Sequence, residues 1–197
     1  GVARELGFAY LDSGALYRLT ALAAQLQNIA WDNEAGVASI AAALDVAFIG
    51  EQIVLSGRDV TLTIRSEEIG SGASQVAALP LVRAALLQRQ RAFALEPGLV
   101  ADGRDMASVV FPAAQLKVFL TASAQVRAER RFKQLLGRGE AADLALITAD
   151  LQARDERDRA RTVAPLEQAA GALLLETSNL TADEAVAQVL AWWRSRH

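Results

Sequence analysis

The chain contains no cysteine, which excludes disulfides, thiolate metal sites and a thiol nucleophile. It contains one histidine, His197, so these residues cannot assemble a Ser-His-Asp relay or a histidine metal cluster. No apolar run approaches the ~20 residues of a membrane-spanning helix, and no signal-peptide pattern is present. Only two basic residues are lysine and eighteen are arginine. A G+C-rich genome produces that bias, but arginine is also the residue whose planar fork suits bidentate phosphate contacts. The net charge of −3 argues against general nucleic-acid binding. A hydrophobic fraction of 52%, four prolines and 197 residues point to a packed core, as one domain with an insertion or one and a half small domains. The lack of cysteine suits a reducing cytoplasm.

What is present is organised around Leu99-Val100-Ala101-Asp102-Gly103-Arg104-Asp105. An apolar run that stops at Asp-Gly-Arg-Asp reads as a buried parallel strand surfacing at a site. In open α/β sheets, ligands bind beyond the carboxyl ends of the strands. Taken alone, the tetrapeptide reads equally well as a turn with a solvated salt bridge. A second strand ends the same way: Phe8-Ala9-Tyr10-Leu11 runs into Asp12-Ser13-Gly14, with Tyr17-Arg18 one helical turn later.

Along the chain, residues 1–7 read as the end of a helix closed by Gly7. Strand 8–11 precedes helix 15–27, for which Ser13 or Asp12 can serve as the N-cap, and helix 33–44 follows. Three alternating segments, 45–50, 52–57 and 59–64, predict a small antiparallel sheet inserted into a β/α pattern. Helices are expected over 66–77 and 80–94, carrying Ser74 and Arg83, with Pro80 in the first turn. Strand 116–120 leads to a charged helix over 123–136, and Gly137-Arg138-Gly139-Glu140 breaks it. A further helix starts near 142 and runs into Arg154-Asp155-Glu156-Arg157-Asp158-Arg159-Ala160-Arg161, where Arg154, Asp158 and Arg161 fall on one stripe. That stripe reads as a solvated ion-pair face or as a clamp for phosphate and ribose. Strand 172–175 and a capping box at Thr181–Glu184 open the last helix, which Trp192 and Trp193 pack down. Residue chemistry alone thus reaches an α/β fold that binds nucleotides or transfers phosphoryl groups.

Three blocks carry a more specific resemblance. Asp12-Ser-Gly-Ala-Leu-Tyr-Arg18, Ala101-Asp-Gly-Arg-Asp-Met106 with Val109-Val-Phe-Pro112, and Arg154 to Arg161 with Ala164-Pro165 together resemble bacterial cytidylate kinase, in order and at matching spacing. The resemblance implies transfer of the γ-phosphoryl group of ATP to CMP or dCMP with Mg²⁺. It implies a P-loop kinase core with a parallel sheet over 1–44 and 95–197. An NMP-binding insertion would occupy 45–94, and a helical lid about 132–157. By the same resemblance Asp105, Arg83 and Ser74 read the cytosine edge, where uracil would present the wrong donor pattern to a carboxylate. Arg18, Arg104 and Arg161 correspond to the arginines on the CMP phosphate, with Ser13 closing that site. Arg154 and Asp158 correspond to the pair at the sugar hydroxyls. Asp102 corresponds to the acid holding a magnesium-bound water, and Arg157 reaches the ATP phosphates. Catalysis would be positioning, charge neutralisation and water exclusion by a closing lid, with Arg104, Arg161 and Arg157 as its cations.

The family's phosphate loop, G-x-x-x-x-G-K-[ST], does not occur in these residues. The expectation is that it belongs just upstream of the helix ending at Gly7, and that the 197-residue polypeptide alone is close to inactive. Two other readings compete: a non-catalytic nucleotide-binding protein that kept the CMP pocket, and a kinase of another small phosphate acceptor. Nucleic-acid binding stands third. A cytoplasmic monomer with CMP, dCMP and ATP as its partners, and neither nucleic acid nor membrane, completes the expectation.

Overall fold

The structure is a computed structural model and describes residues 1–49, 52–162 and 165–196. Gly50, Ala164 and His197, which figure in the sequence reading, lie outside the described residues.

Six of the eight α-helices among the described residues begin where a side chain satisfies a first backbone donor. Helix α1 (Val2–Leu6) is closed by Gly7 at φ 67°, the left-handed turn glycine adopts without strain. Strand β1 (Ala9–Asp12) passes directly into α2 (Ser13–Leu26), and Asp12 accepts from the amide of Ala15 at 3.0 Å. The N-cap is therefore Asp12, a contact worth about 1 kcal/mol. Asn33 caps α3 (Glu34–Ala42). The inserted sheet is β2 (Val46–Ile49), β3 (Gln52–Leu55) and β4 (Arg58–Asp59). Ser66 caps α4 (Glu67–Val76), and Pro80 opens α5 (Pro80–Arg91) as expected. Strand β5 (Leu99–Asp102) leads to a π-helical turn over Met106–Val110. Then come β6 (Val118–Thr121) and α6 (Ala124–Gly137), the latter capped by Ser123. Helix α7 (Leu144–Arg159) is capped by Asp143, β7 (Leu173–Glu176) follows, and α8 (Ala182–Arg194) opens on the expected capping box.

Two sequence expectations need correction. The third inserted strand stops after Asp59. Its carboxylate takes both the amide and the hydroxyl of Thr61, at 2.9 and 2.6 Å, while the Thr61 hydroxyl accepts from the amide of Ile53. These local side-chain bonds replace the ladder, and Thr63–Arg65 turns into a 3₁₀-helix. Arg161 is likewise not on the helical stripe, because α7 ends at Arg159.

The chain divides into two compact units. In Phe8–Gly103, β1 and β5 pair in parallel with Asp12 opposite Asp102, so both acids emerge at one strand edge. Strands β2, β3 and β4 form the antiparallel sheet. Helix α2 packs on α4 and α3 on α5, over a core that includes Leu16, Leu19, Val37, Val76, Val82 and Leu86. The close approach depends on Gly72, where a Cβ would stand 2.5 Å from the Trp31 ring. That ring is held by its N–H on the Ala21 carbonyl at 2.9 Å.

The other unit joins Gly1–Gly7 to Arg104–His197. Here β6 and β7 pair in parallel, α6 packs on α7, and α1 packs on α8. Its buried apolar residues include Val110, Ala128, Leu135, Leu175 and Leu190. Trp192 and Trp193 are half-buried. The parallel pairs and the small antiparallel sheet bear out the expected α/β class, and no helix among the described residues is long and apolar enough to cross a membrane.

Candidate active site

In the unit Phe8–Gly103, the organising feature is the pair of strand ends. The Tyr10 hydroxyl stands 3.5 Å from a carboxylate oxygen of Asp102. Burial, which disfavours the charged phenolate, and then the charges of Asp102 and Asp12 push the Tyr10 phenol up to about 12. Ser13, the first residue of α2, is buried.

Two arginines in this unit are held by backbone and ring contacts. Arg18 donates to the carbonyl of Ile64 at 2.7 Å. Its guanidinium lies against Gly70 of α4, where a Cβ would come within 3.2 Å of it. Ser74, also buried, sits one turn further along α4 on the same face. Arg83 is buried, donates to the carbonyl of Ala77 at 2.8 Å, and lies 5.5 Å over the Tyr17 ring, within cation–π range.

The unit containing Arg104–His197 holds a chain of alternating charges. Arg104 pairs with Asp158 at 2.8 Å and stands 3.7 Å from Asp155. The other oxygen of Asp158 takes the guanidinium of Arg161. Asp155 receives both terminal nitrogens of Arg127 from α6, at 3.0 and 2.5 Å, while Arg127 Nε donates to the carbonyl of Ala122. Asp158 is 1% exposed and Asp155 5%, and they are the only buried residues among those of α7. Burial pushes the Asp155 carboxyl up, but the Arg127 hydrogen bond and the charges of Arg127, Arg104 and Arg159 outweigh it and hold the group below the ordinary range.

Arg104 keeps 31% of its side-chain surface open, whereas Arg161 keeps 5%. Asp105 is buried, and its backbone carbonyl accepts from Val109 and Val110 in the π-helical turn. Arg154 is half-buried one turn before Asp158, and Arg157 is exposed.

Ser13, Arg18, Ser74, Arg83 and Asp102 therefore lie in one unit, and Arg104, Asp105, Arg154, Arg157, Asp158 and Arg161 in the other. Sequence reasoning overlooked Asp155 and its partner Arg127 as members of the charge chain. The available signal was the i, i+3 spacing of Asp155 and Asp158, which puts both acids of the motif on one helix face. Within the unit containing Arg104–His197, the guanidinium groups of Arg104 and Arg161, held by a carboxylate, can meet a phosphate.

Comparison with known proteins narrows that chemistry to one family. The family model described as cytidylate kinase matches residues 1–195. The cytidylate kinase of Chromobacterium violaceum is 60% identical over 195 residues, covering 99% of this chain and 88% of that protein. That of Neisseria meningitidis serogroup C is 58% identical over 193 residues, covering 98% and 88%. That of Bordetella bronchiseptica is 54% identical over 194 residues, covering 98% and 87%. A match of this extent means that the chain belongs to the cytidylate kinase family, whose members are nucleoside monophosphate kinases.

Proposed function

We propose that this chain supplies the acceptor site of an enzyme that transfers the γ-phosphoryl group of ATP to CMP or dCMP. An oxygen of the CMP phosphate attacks the γ-phosphorus, the bond from that phosphorus to the β,γ-bridging oxygen breaks, and CDP and ADP result. The observation that carries this reading is Arg104. It follows a strand end, one of its nitrogens is fixed by Asp158, and a third of its side chain remains open. A fork held in this way can meet an incoming phosphate with little loss of side-chain freedom.

The remaining roles are those that the resemblance to the family implies. Arg18 and Arg161 join Arg104 on the CMP phosphate, and Ser13 donates to it beside the N-terminus of α2. Asp105 accepts from the cytosine amine, with Arg83 and Ser74 on the acceptor groups of the base. Arg157 serves the ATP phosphates. The P-loop sequence that cradles those phosphates does not occur in these residues, so the acceptor side is what they can be tested for. The division into a core (1–44 and 95–197), an insertion (45–94) and a lid (about 132–157) belongs to the same reading, as does a cytoplasmic monomer.

Magnesium fits the donor chemistry at the strand ends. Asp12 and Asp102 are in register there, so two carboxylates share one strand edge. Mg²⁺ is bound through one or two carboxylates and retained waters rather than an all-protein cage. Asp102 would hold it through water, and the ion would neutralise charge on the phosphates.

For Asp158 a second reading has support. Its ion pairs with Arg104 and Arg161 make it a counter-ion for the phosphate arginines instead of a ligand of the sugar hydroxyls with Arg154. The sugar decides between them: a sugar ligand makes Asp158→Ala cost CMP about 1–3 kcal/mol more than dideoxy-CMP, whereas a counter-ion costs every sugar equally.

Calorimetric titration of CMP, dCMP, UMP and AMP into the chain tests the base assignment. CMP and dCMP should bind about tenfold or more tighter than UMP, and Asp105→Ala should erase that preference. Equal affinities for CMP and UMP in the unmodified chain would remove the cytosine reading.

A further inference from the structure

We propose that Asp155 is a positioning residue for Arg104, aligning the phosphate-binding guanidinium through charge while it ties α6 to α7. The inference rests on the acceptor-site reading above.

Three observations carry it. First, Asp155 is a buried carboxylate on a helix whose described buried residues are Asp155 and Asp158 alone, so this face of α7 is built for charge and not for apolar packing. Taking a carboxylate out of water is costly, and the cost is recovered only with close, well-oriented partners. Second, Asp155 has such a partner in Arg127. The two-point bond to α6 fixes the orientation of the carboxylate, and Arg127 Nε is itself anchored on the Ala122 carbonyl. Third, the oxygen of Asp155 that accepts from Arg127 also stands 3.7 Å from the Arg104 nitrogen that Asp158 holds at 2.8 Å. Arg104 is thus steered by two carboxylates one helical turn apart. One forms an ion pair with it at 2.8 Å, and the other, held rigid by α6, adds to the field in which it settles.

A clamp alone would need only the Arg127–Asp155 bond. The position of Arg104 beside the same oxygen gives Asp155 a second task, because a guanidinium between two anions has a defined resting place and one anion leaves it freer to swing. The consequence falls on ligands that carry a phosphate. Losing Asp155 should weaken CMP and leave cytidine, which lacks the phosphate, nearly unaffected.

The test is calorimetric titration of CMP and cytidine into the chain and its variants, with the melting temperature measured for each. Asp155→Asn keeps the shape and removes the charge, and should lower the CMP-to-cytidine affinity ratio roughly tenfold. Asp155→Glu keeps the charge and should retain most of the ratio. The exchange Arg127→Asp with Asp155→Arg rebuilds the tie between helices but puts a cation beside Arg104. It should recover melting temperature lost in Asp155→Asn and leave the ratio low. An unchanged ratio in Asp155→Asn, or an exchange that restores both quantities, overturns the proposal. If the unmodified chain binds cytidine as tightly as CMP, or Arg104→Ala leaves the ratio intact, the acceptor-site reading fails instead.

Discussion

The described contacts of the arginines differ in kind between the two units. In Phe8–Gly103, the described contacts of Arg18 and Arg83 are to backbone carbonyls and a tyrosine ring. In the unit with Arg104–His197, Arg104, Arg127 and Arg161 are bound to the carboxylates of two buried aspartates. A carbonyl or an aromatic face orients a guanidinium without titrating. A carboxylate orients it more strongly but must itself be kept ionised, and it competes with an incoming phosphate for the same fork. Contacts of the first kind depend on backbone and ring geometry, and those of the second on charge balance.

The largest effect expected from this contrast is on stability. Asp158→Ala leaves the deeply buried Arg161 without its carboxylate and loosens Arg104, so it should cost about 3–5 kcal/mol in urea unfolding. A loss under about 1 kcal/mol would class the cluster with surface ion pairs. Next comes the steric side. Gly72→Ala drives a methyl into the tethered Trp31 ring and should cost about 1–3 kcal/mol, with no change in the charge cluster.

The acid limb of stability tests the carboxylate anchoring directly. The Asp155 carboxyl lies below its ordinary value in the folded chain, so its contribution is present above the ordinary carboxylate range and is lost as the pH falls through the depressed value. The stability gap between the unmodified chain and Asp155→Asn should therefore narrow as the pH drops below about 4. A gap that stays constant would assign the effect to shape.

The smallest effect is at the strand ends. Absorbance titration should find Tyr10 near 12, and Asp102→Asn should bring it down part of the way, since burial, the first cause, remains.

The sequence made some of this architecture legible and hid the rest for physical reasons. The strand ends at Asp12 and Asp102 could be read because apolar runs that stop at acids are local signals, and the structure brings those acids into register. Gly7, Pro80 and the Thr181–Glu184 box were equally local. The third inserted strand failed because Asp59 and Thr61 bond each other, a competition that alternation of hydrophobicity does not register. Asp155 was missed because burying a carboxylate runs against every periodicity rule. The bond from Arg127 on α6 and the charges of Arg104, after β5, and Arg159 make it favourable, and the first two partners are distant in sequence.

The central claim is that Arg104 is a phosphate fork held ready by carboxylates. The direct measurement is the CMP-to-cytidine affinity ratio in the unmodified chain and in Arg104→Lys, which keeps the charge and removes the fork. The account predicts that the unmodified chain prefers CMP by about tenfold or more and that Arg104→Lys loses most of that preference while binding cytidine as before. An Arg104→Lys chain with an undiminished ratio would contradict it and leave Arg104 a structural partner of Asp158.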